Sequence, residues 1–161
     1  MSDSERSKFM KLRFAGLVLA IGITMLSGFA QATNSETIAL TNAAQSLASM
    51  KFDSGVGLTT RVRVTTVVLP ERSAAMILAE AIGTPEKYAF STAGVPAMAK
   101  QGLTRFTLKP GDEVIVTGVL ANGSPKIGPG DGFYAARADL ITKADGTHLF
   151  DRARLPTPAS K

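Results

Sequence analysis

The amino-acid sequence predicts a mostly β fold: a small five-stranded OB-like barrel with a short helix between strands 3 and 4. Three observations carry that expectation. Segments of strand length, rich in β-branched and apolar residues, recur between residues 58 and 150. Turns rich in Gly and Pro separate them. A stretch opened by Pro and closed by Gly follows the third segment, and three strands, a short helix and two strands is the order of the OB barrel. The 161 residues include no cysteine, so disulfides, thiolate metal sites and thiol redox chemistry are excluded. Such a fold must rest on burial and strand pairing, and closing the sheet protects its edges. An open sheet or sandwich of the same strands is the alternative.

The N-terminal part reads as an export signal. Residues 1–13 are polar and basic, Phe14 to Ala30 is almost wholly apolar, and Ala30-Gln31-Ala32 offers the small-x-small pattern of a signal peptidase site. The expectation is a signal peptide over residues 1–32, cleaved near Ala32, and a periplasmic or secreted mature protein. Met10 serves as well as Met1 for the start. An uncleaved anchor is the rival. The apolar run falls short of the ~20 residues a spanning helix needs, and Gly16, Gly22 and Gly28 weaken it, so no stable membrane insertion is expected after signal removal.

Residues 33–57 form a lead-in rich in Ser, Thr, Asn and Ala. Ile38, Ala43, Ala44, Leu47 and Met50 have the spacing of a weak amphipathic helix from about Ser35 to Met50; an unstructured lead-in is the other reading. The OB-like domain is expected over residues 58–150. Its first strand, Thr60 to Val68, puts Val62, Val64 and Thr66 on one face and Arg61, Arg63 and Thr65 on the other. Pro70-Glu71-Arg72 ends it. Ala74–Ala81 and Lys87–Ser91 make a hairpin about Gly83-Thr84-Pro85-Glu86, and Val95 to Gly102 is the short helix. Lys109-Pro110-Gly111-Asp112 turns into Glu113–Leu120, apolar on both faces and therefore expected to be central or covered. Ala121 to Gly132 is a loop, and Phe133–Thr142 is the last long strand, with Tyr134, Ala136, Ala138 and Leu140 on one side. Thr147–Phe150 is a short strand after Asp145-Gly146. Residues 151–161 read as a flexible tail. The expected core holds Val62, Val64, Ile77, Leu78, Phe90, Val114, Val116, Tyr134 and Leu140.

Charge narrows the partners. Of the net +5, the leader supplies Arg6, Lys8, Lys11 and Arg13 against Asp3 and Glu5, leaving about +3 on the mature part. That scattered excess fits plain solubility, and no nucleic-acid partner is expected.

One block is more specific than composition. Gly102-Leu103-Thr104-Arg105-Phe106-Thr107-Leu108-Lys109-Pro110-Gly111-Asp112-Glu113-Val114, with Ala144-Asp145-Gly146-Thr147-His148-Leu149, resembles a family of small exported bacterial proteins known as a domain of unknown function. The resemblance covers most of residues 46–150 and implies an OB-like barrel, with no established activity. Members of that family carry His-His-Ser near the mature start, Asn-Pro-His after the first strand, and a Trp with a Glu shortly after at the third strand. The matching positions here hold Ala44-Gln45-Ser46, Leu69-Pro70-Glu71, Tyr88 and Thr92, while Phe52-Asp53 is retained. The resemblance thus implies a divergent member lacking the family histidines.

No catalytic constellation is visible. His148 is the single histidine, and its surroundings in sequence have no metal-ligand spacing. Asp112 reads as a turn cap. There is no G-x-S-x-G elbow, and the Gly128–Gly132 segment lacks the Lys-Ser/Thr of a phosphate loop. Arg61 and Arg63, with Tyr88 nearby, mark a candidate ligand or partner face, against which stands a merely solvated face. The leading expectation is a non-enzymatic exported OB-like domain that binds a protein or small-molecule partner and needs no cofactor or metal. A periplasmic metal-handling protein and an uncharacterised enzyme are the alternatives.

Overall fold

The computed structural model describes residues 35–53, 55–70, 74–104 and 106–155. The leader with its cleavage point at Ala32, the turn residues Glu71 and Arg72, Arg105, and residues 156–161 lie outside the described residues. The residues from Ala39 onward belong to one compact unit, described below together with the start of its helix at residues 35–38.

A helix, α1, covers residues 35–48. Seven strands follow: β1 (Gly57–Val68), β2 (Ala74–Ala81), β3 (Lys87–Gly94), β4 (Glu113–Leu120), β5 (Lys126–Ile127), β6 (Phe133–Lys143) and β7 (His148–Asp151). Helix α2 (Val95–Lys100) lies between β3 and β4, and a 3₁₀ turn, Arg152–Arg154, follows β7. The antiparallel ladder runs β3-β2-β1-β4-β6, and a parallel pairing of β3 with β6, Tyr88 opposite Tyr134, closes it. Five strands therefore form a closed barrel with OB order and its helix where the sequence placed it. The short β5 and β7 are additions along β6.

Local chemistry explains the helix between strands. Pro96 opens α2, where a missing N–H costs nothing. Gly102 ends it at φ +86°, with its N–H on the Ala99 carbonyl and the Leu103 N–H on that of Met98. The chain reversal that results leaves Met98 in the barrel core, with Leu103 and Leu108 beside it.

Two apolar clusters form, one on each side of the sheet. Inside lie Val62 and Val64 of β1, Ala75, Ile77 and Ala79 of β2, Phe90 of β3, Val114 and Val116 of β4, and Ala136, Ala138 and Ile141 of β6. Outside β2, β3 and β6, Met76, Leu78, Ala89 and Ala135 pack with Ala43, Ala44 and Leu47 of α1. Both readings of the lead-in were open, and the helix is the observed one; Ile38, counted on its apolar face, is 62% exposed.

Several expected inward residues sit elsewhere, for reasons of register. A bulge between Val64 and Thr66 of β1 reverses the alternation, so Val67 rather than Thr66 packs against the core. A second irregularity, between Thr117 and Gly118 of β4, skips Asp139 of β6. Ile141 then points inward in place of Leu140, which is only half-buried. Tyr134 is likewise half-buried at the core's margin. Leu78 is buried, but under α1 rather than inside the barrel. β4 is central, paired with β1 on one edge and β6 on the other, while Ile115 on its outer face is 37% exposed. Asp151 to Leu155, read from sequence as the start of the tail, carry the end of β7 and the 3₁₀ turn.

Candidate functional site

The outer surface of the barrel has two unlike sides. OB barrels bind ligands over strands 2 and 3. In this chain that side is taken by α1, whose Ala43 and Ala44 approach Ala89 and Ala135 with small side chains on both surfaces. Among the described residues, nothing covers the outer side of β1 and β4 in this way. Register sets its pairs: Thr59 opposite Thr117, Arg61 opposite Ile115, and Arg63 opposite Glu113.

Arg61 and Arg63 are two residues apart on one strand, so the pleat points both outward. Each gives one terminal N–H to a different oxygen of Glu113: Arg61 Nη2 to Oε2 at 2.7 Å, Arg63 Nη2 to Oε1 at 2.8 Å. Their side chains stay 55% and 58% exposed. Hydrogen bonds from Arg63, then Arg61, hold the Glu113 carboxyl below its ordinary range. One carboxylate thus orients two guanidiniums and leaves a net positive charge. A guanidinium has five N–H donors, so most of each fork is left over for another acceptor. Glu113 also borders a cleft of about 300 Å³ with Asp112, Lys143 and Asp145.

Tyr88 does not join this pair. Its side chain belongs to the inner cluster and is 8% exposed, stacked on Phe90 at 5.5 Å and tilted against Tyr134 at 6.1 Å. Burial first, then the Glu86 carboxylate and Tyr134, push its phenol above the ordinary value. Tyr134 borders a wider cleft of about 570 Å³ with Glu86, Lys87, Lys126 and Asp131, and Lys126 Nζ stands 4.8 Å from the Tyr134 ring centre. Sequence spacing placed Tyr88 near the arginines; the two groups lie on opposite sides of the sheet.

The remaining singled-out residues have local roles. Asp112 accepts the Lys109 N–H at 3.0 Å, the turn cap read from Pro110-Gly111. Asp145 caps Thr147 in the same way at 2.9 Å, which lowers its carboxyl. Thr92, at one of the positions compared above with the resembled family's pattern, is buried and donates to the Ala75 carbonyl at 3.1 Å. Ala44, at another, is buried on the side of α1 that packs on the sheet. Among the described residues, no three His, Asp or Glu side chains converge to hold a metal, and no helix is long and apolar enough to cross a membrane.

A polar cluster that the sequence did not reveal fastens the chain's end. Asp139 Oδ1 accepts Arg137 Nε at 2.9 Å and Arg152 Nε at 3.1 Å. Arg152 also donates to the carbonyls of Thr92 at 3.0 Å and Ala138 at 3.2 Å. Alternation along the strand puts Arg137 and Asp139 on one face, but nothing local in the sequence links either to Arg152. Comparison with protein-family models, with curated proteins and with solved structures found no match, so the chain's own geometry carries the functional argument.

Proposed function

We propose that this chain is a non-enzymatic binding domain that works outside the cytoplasm, its working surface the outer side of β1 and β4. The observation that carries the reading is the fixed arginine pair: Arg61 and Arg63 both bonded to Glu113 on a sheet face that no part of the described chain covers. Guanidiniums held in place lose little side-chain entropy on binding, and planar forks match carboxylate and phosphate oxygens. The partner is then a small anion or an anionic group on a protein. Export rests on the basic-apolar-small order of residues 1–32, and kinship with the small exported family on the Gly102–Val114 block.

Inorganic phosphate and succinate, titrated separately into ¹⁵N-labelled mature protein, test the surface. The expected result is saturable movement of the Arg61 and Arg63 Nε–H signals, lost in the Arg61→Ala/Arg63→Ala variant. Movement centred elsewhere, or none, refutes the assignment. Intact mass of the periplasmic fraction tests export: a chain beginning at Thr33 agrees, and a membrane-bound chain keeping residues 14–30 does not.

A further inference from the structure

The two arginines stand in different rows across the sheet, and the rows differ in character. Directly opposite residues of neighbouring strands put their side chains on one face, about 5 Å apart. Arg63 is opposite Glu113 on β4 and Glu80 on β2, and Glu80 is opposite Lys87 on β3. Arg63 is tied to Glu113, and Lys87 Nζ lies 3.5 Å from the Glu80 carboxylate. That row alternates in sign and answers its own charges. Arg61 is set otherwise. It is opposite Ile115 on β4. On its other side stands Ile82, one residue past β2, whose N–H donates to the Arg61 carbonyl at 2.9 Å. Register is unbroken over both rows, because the β1 bulge begins only after Val64. Ala79 and Ala81 pack on the inner side, so alternation turns Glu80 and Ile82 outward, beyond the Met76 and Leu78 that α1 covers.

One guanidinium is thus flanked by two exposed isoleucines, Ile82 at 38% and Ile115 at 37%. An isoleucine exposed singly is ordinary, but two on either side of a fixed cation make one composite surface. A free anion such as phosphate would engage the guanidinium and leave both isoleucines in water. An anionic membrane would press its charge against Glu80 and Glu113, which face the same way. A protein surface answers all three features. Interfaces between proteins combine an apolar centre with arginine and a rim carrying both signs.

We propose that the ligand of Arg61 is a segment of a partner protein carrying a carboxylate between two aliphatic side chains, an inference that rests on the anion-binding reading above and narrows it. The carboxylate takes the guanidinium donors that Glu113 leaves over, and the aliphatic groups cover Ile82 and Ile115. Charge supplies the orientation, and the isoleucines supply the preference for a protein over a free anion.

The probe is the peptide acetyl-Leu-Ala-Glu-Ala-Leu-amide, whose four residue steps reach up to ~14 Å and so span the ~10 Å from Ile82 to Ile115. One control has glycine for both leucines, and another has lysine for glutamate. Each, and succinate, is titrated into mature chain labelled with ¹⁵N and with ¹³C at the isoleucine methyl groups. The leucine peptide should move the Arg61 Nε–H and the Ile82 and Ile115 methyl signals. It should bind ~10-fold tighter than the glycine peptide, the gain that about 55 Å² of newly buried apolar surface provides. In Ile82→Thr/Ile115→Thr, which keeps both side chains β-branched, that gap should shrink to ~2-fold or less while the succinate response at Arg61 persists. The lysine peptide should leave this face unmoved. Equal affinity of the leucine and glycine peptides, or a gap that survives the threonine substitutions, would overturn the proposal and leave the anion reading standing. Absence of any response to succinate and to the peptides at Arg61 would overturn both. Isoleucine signals that move with protein concentration alone, and not with peptide, would give the face to a second copy of the chain and overturn the proposal as well.

Discussion

Leu47 is the residue through which α1 is most exposed to test. It is 2% exposed, and its neighbours in the outer cluster are mainly alanines: Ala43, Ala44, Ala89, Ala121 and Ala135. Truncation to alanine removes three carbon atoms from that cluster. Alanine side chains have no rotamers with which to fill the space, and their Cβ atoms move only if the backbone moves. The cavity therefore persists, which places the cost in the middle of the range for buried leucine, about 3–4 kcal/mol. A domain of this size has roughly 6–15 kcal/mol in total, so Leu47→Ala should fold, with a clearly lowered urea midpoint. The slope of the transition should stay unchanged if α1 and the barrel unfold together. Ile38→Ala, at an exposed position of the same helix, should cost less than about 0.5 kcal/mol. A Leu47→Ala midpoint within about 1 kcal/mol of the unaltered chain would mean that α1 does not close the β2–β3–β6 side in solution.

Three further outcomes are expected. The Glu113 carboxyl should titrate below an ordinary glutamate, and Arg63→Ala should raise it more than Arg61→Ala, as read from side-chain carbon shifts against pH; because its folded value is depressed, the stability it contributes is present at neutral pH and is lost as pH falls through that value. Arg152→Met removes a donor from three main-chain carbonyls, those of Ser91, Thr92 and Ala138, and from Asp139, and should cost about 2–3 kcal/mol by chemical denaturation. Gly118→Ala puts a methyl group into the Arg137 carbonyl across the β4–β6 irregularity and should cost about 3 kcal/mol or more, whereas Gly57→Ala, with open space around it, should be far milder by the same assay.

Much of the barrel was legible because strand and turn signals are local. Val62 and Val64 alternate with Arg61 and Arg63, Gly83-Thr84-Pro85 reverses the chain, and Pro96 with Gly102 brackets a helix; each reads within a few residues. Two of the misplaced residues, Thr66 and Leu140, share one cause. Alternation fixes faces only until a bulge, and neither Thr65 nor Asp139 differs from its neighbours in a way that announces one. Each bulge exchanged an inward residue, Val67 for Thr66 and Ile141 for Leu140. A clue did exist at Gly118, a glycine inside a run of valines, which commonly marks a close backbone approach. Tertiary partners were beyond reach. Whether Met76 and Leu78 face solvent or a helix depends on α1, which is distant in sequence, and Arg152 meets Asp139 only because β7 returns along β6. The arginine pair was found by its alternation, but its organiser, Glu113, lies on another strand and could be assigned only once β1 and β4 were seen to pair.

The account turns on one outer side of the barrel being closed by α1 and the other left open with Arg61 and Arg63. A soluble paramagnetic probe added to the isotopically labelled mature protein measures that directly, since it broadens signals of groups it can approach. The account predicts strong broadening at the side chains of Thr59, Arg61, Arg63 and Ile115, and protection of the methyl groups of Met76, Leu78, Ala89 and Ala135. Broadening of the Met76 and Leu78 methyl groups to the level of Ile115, or protection of Arg61 and Arg63, would contradict it.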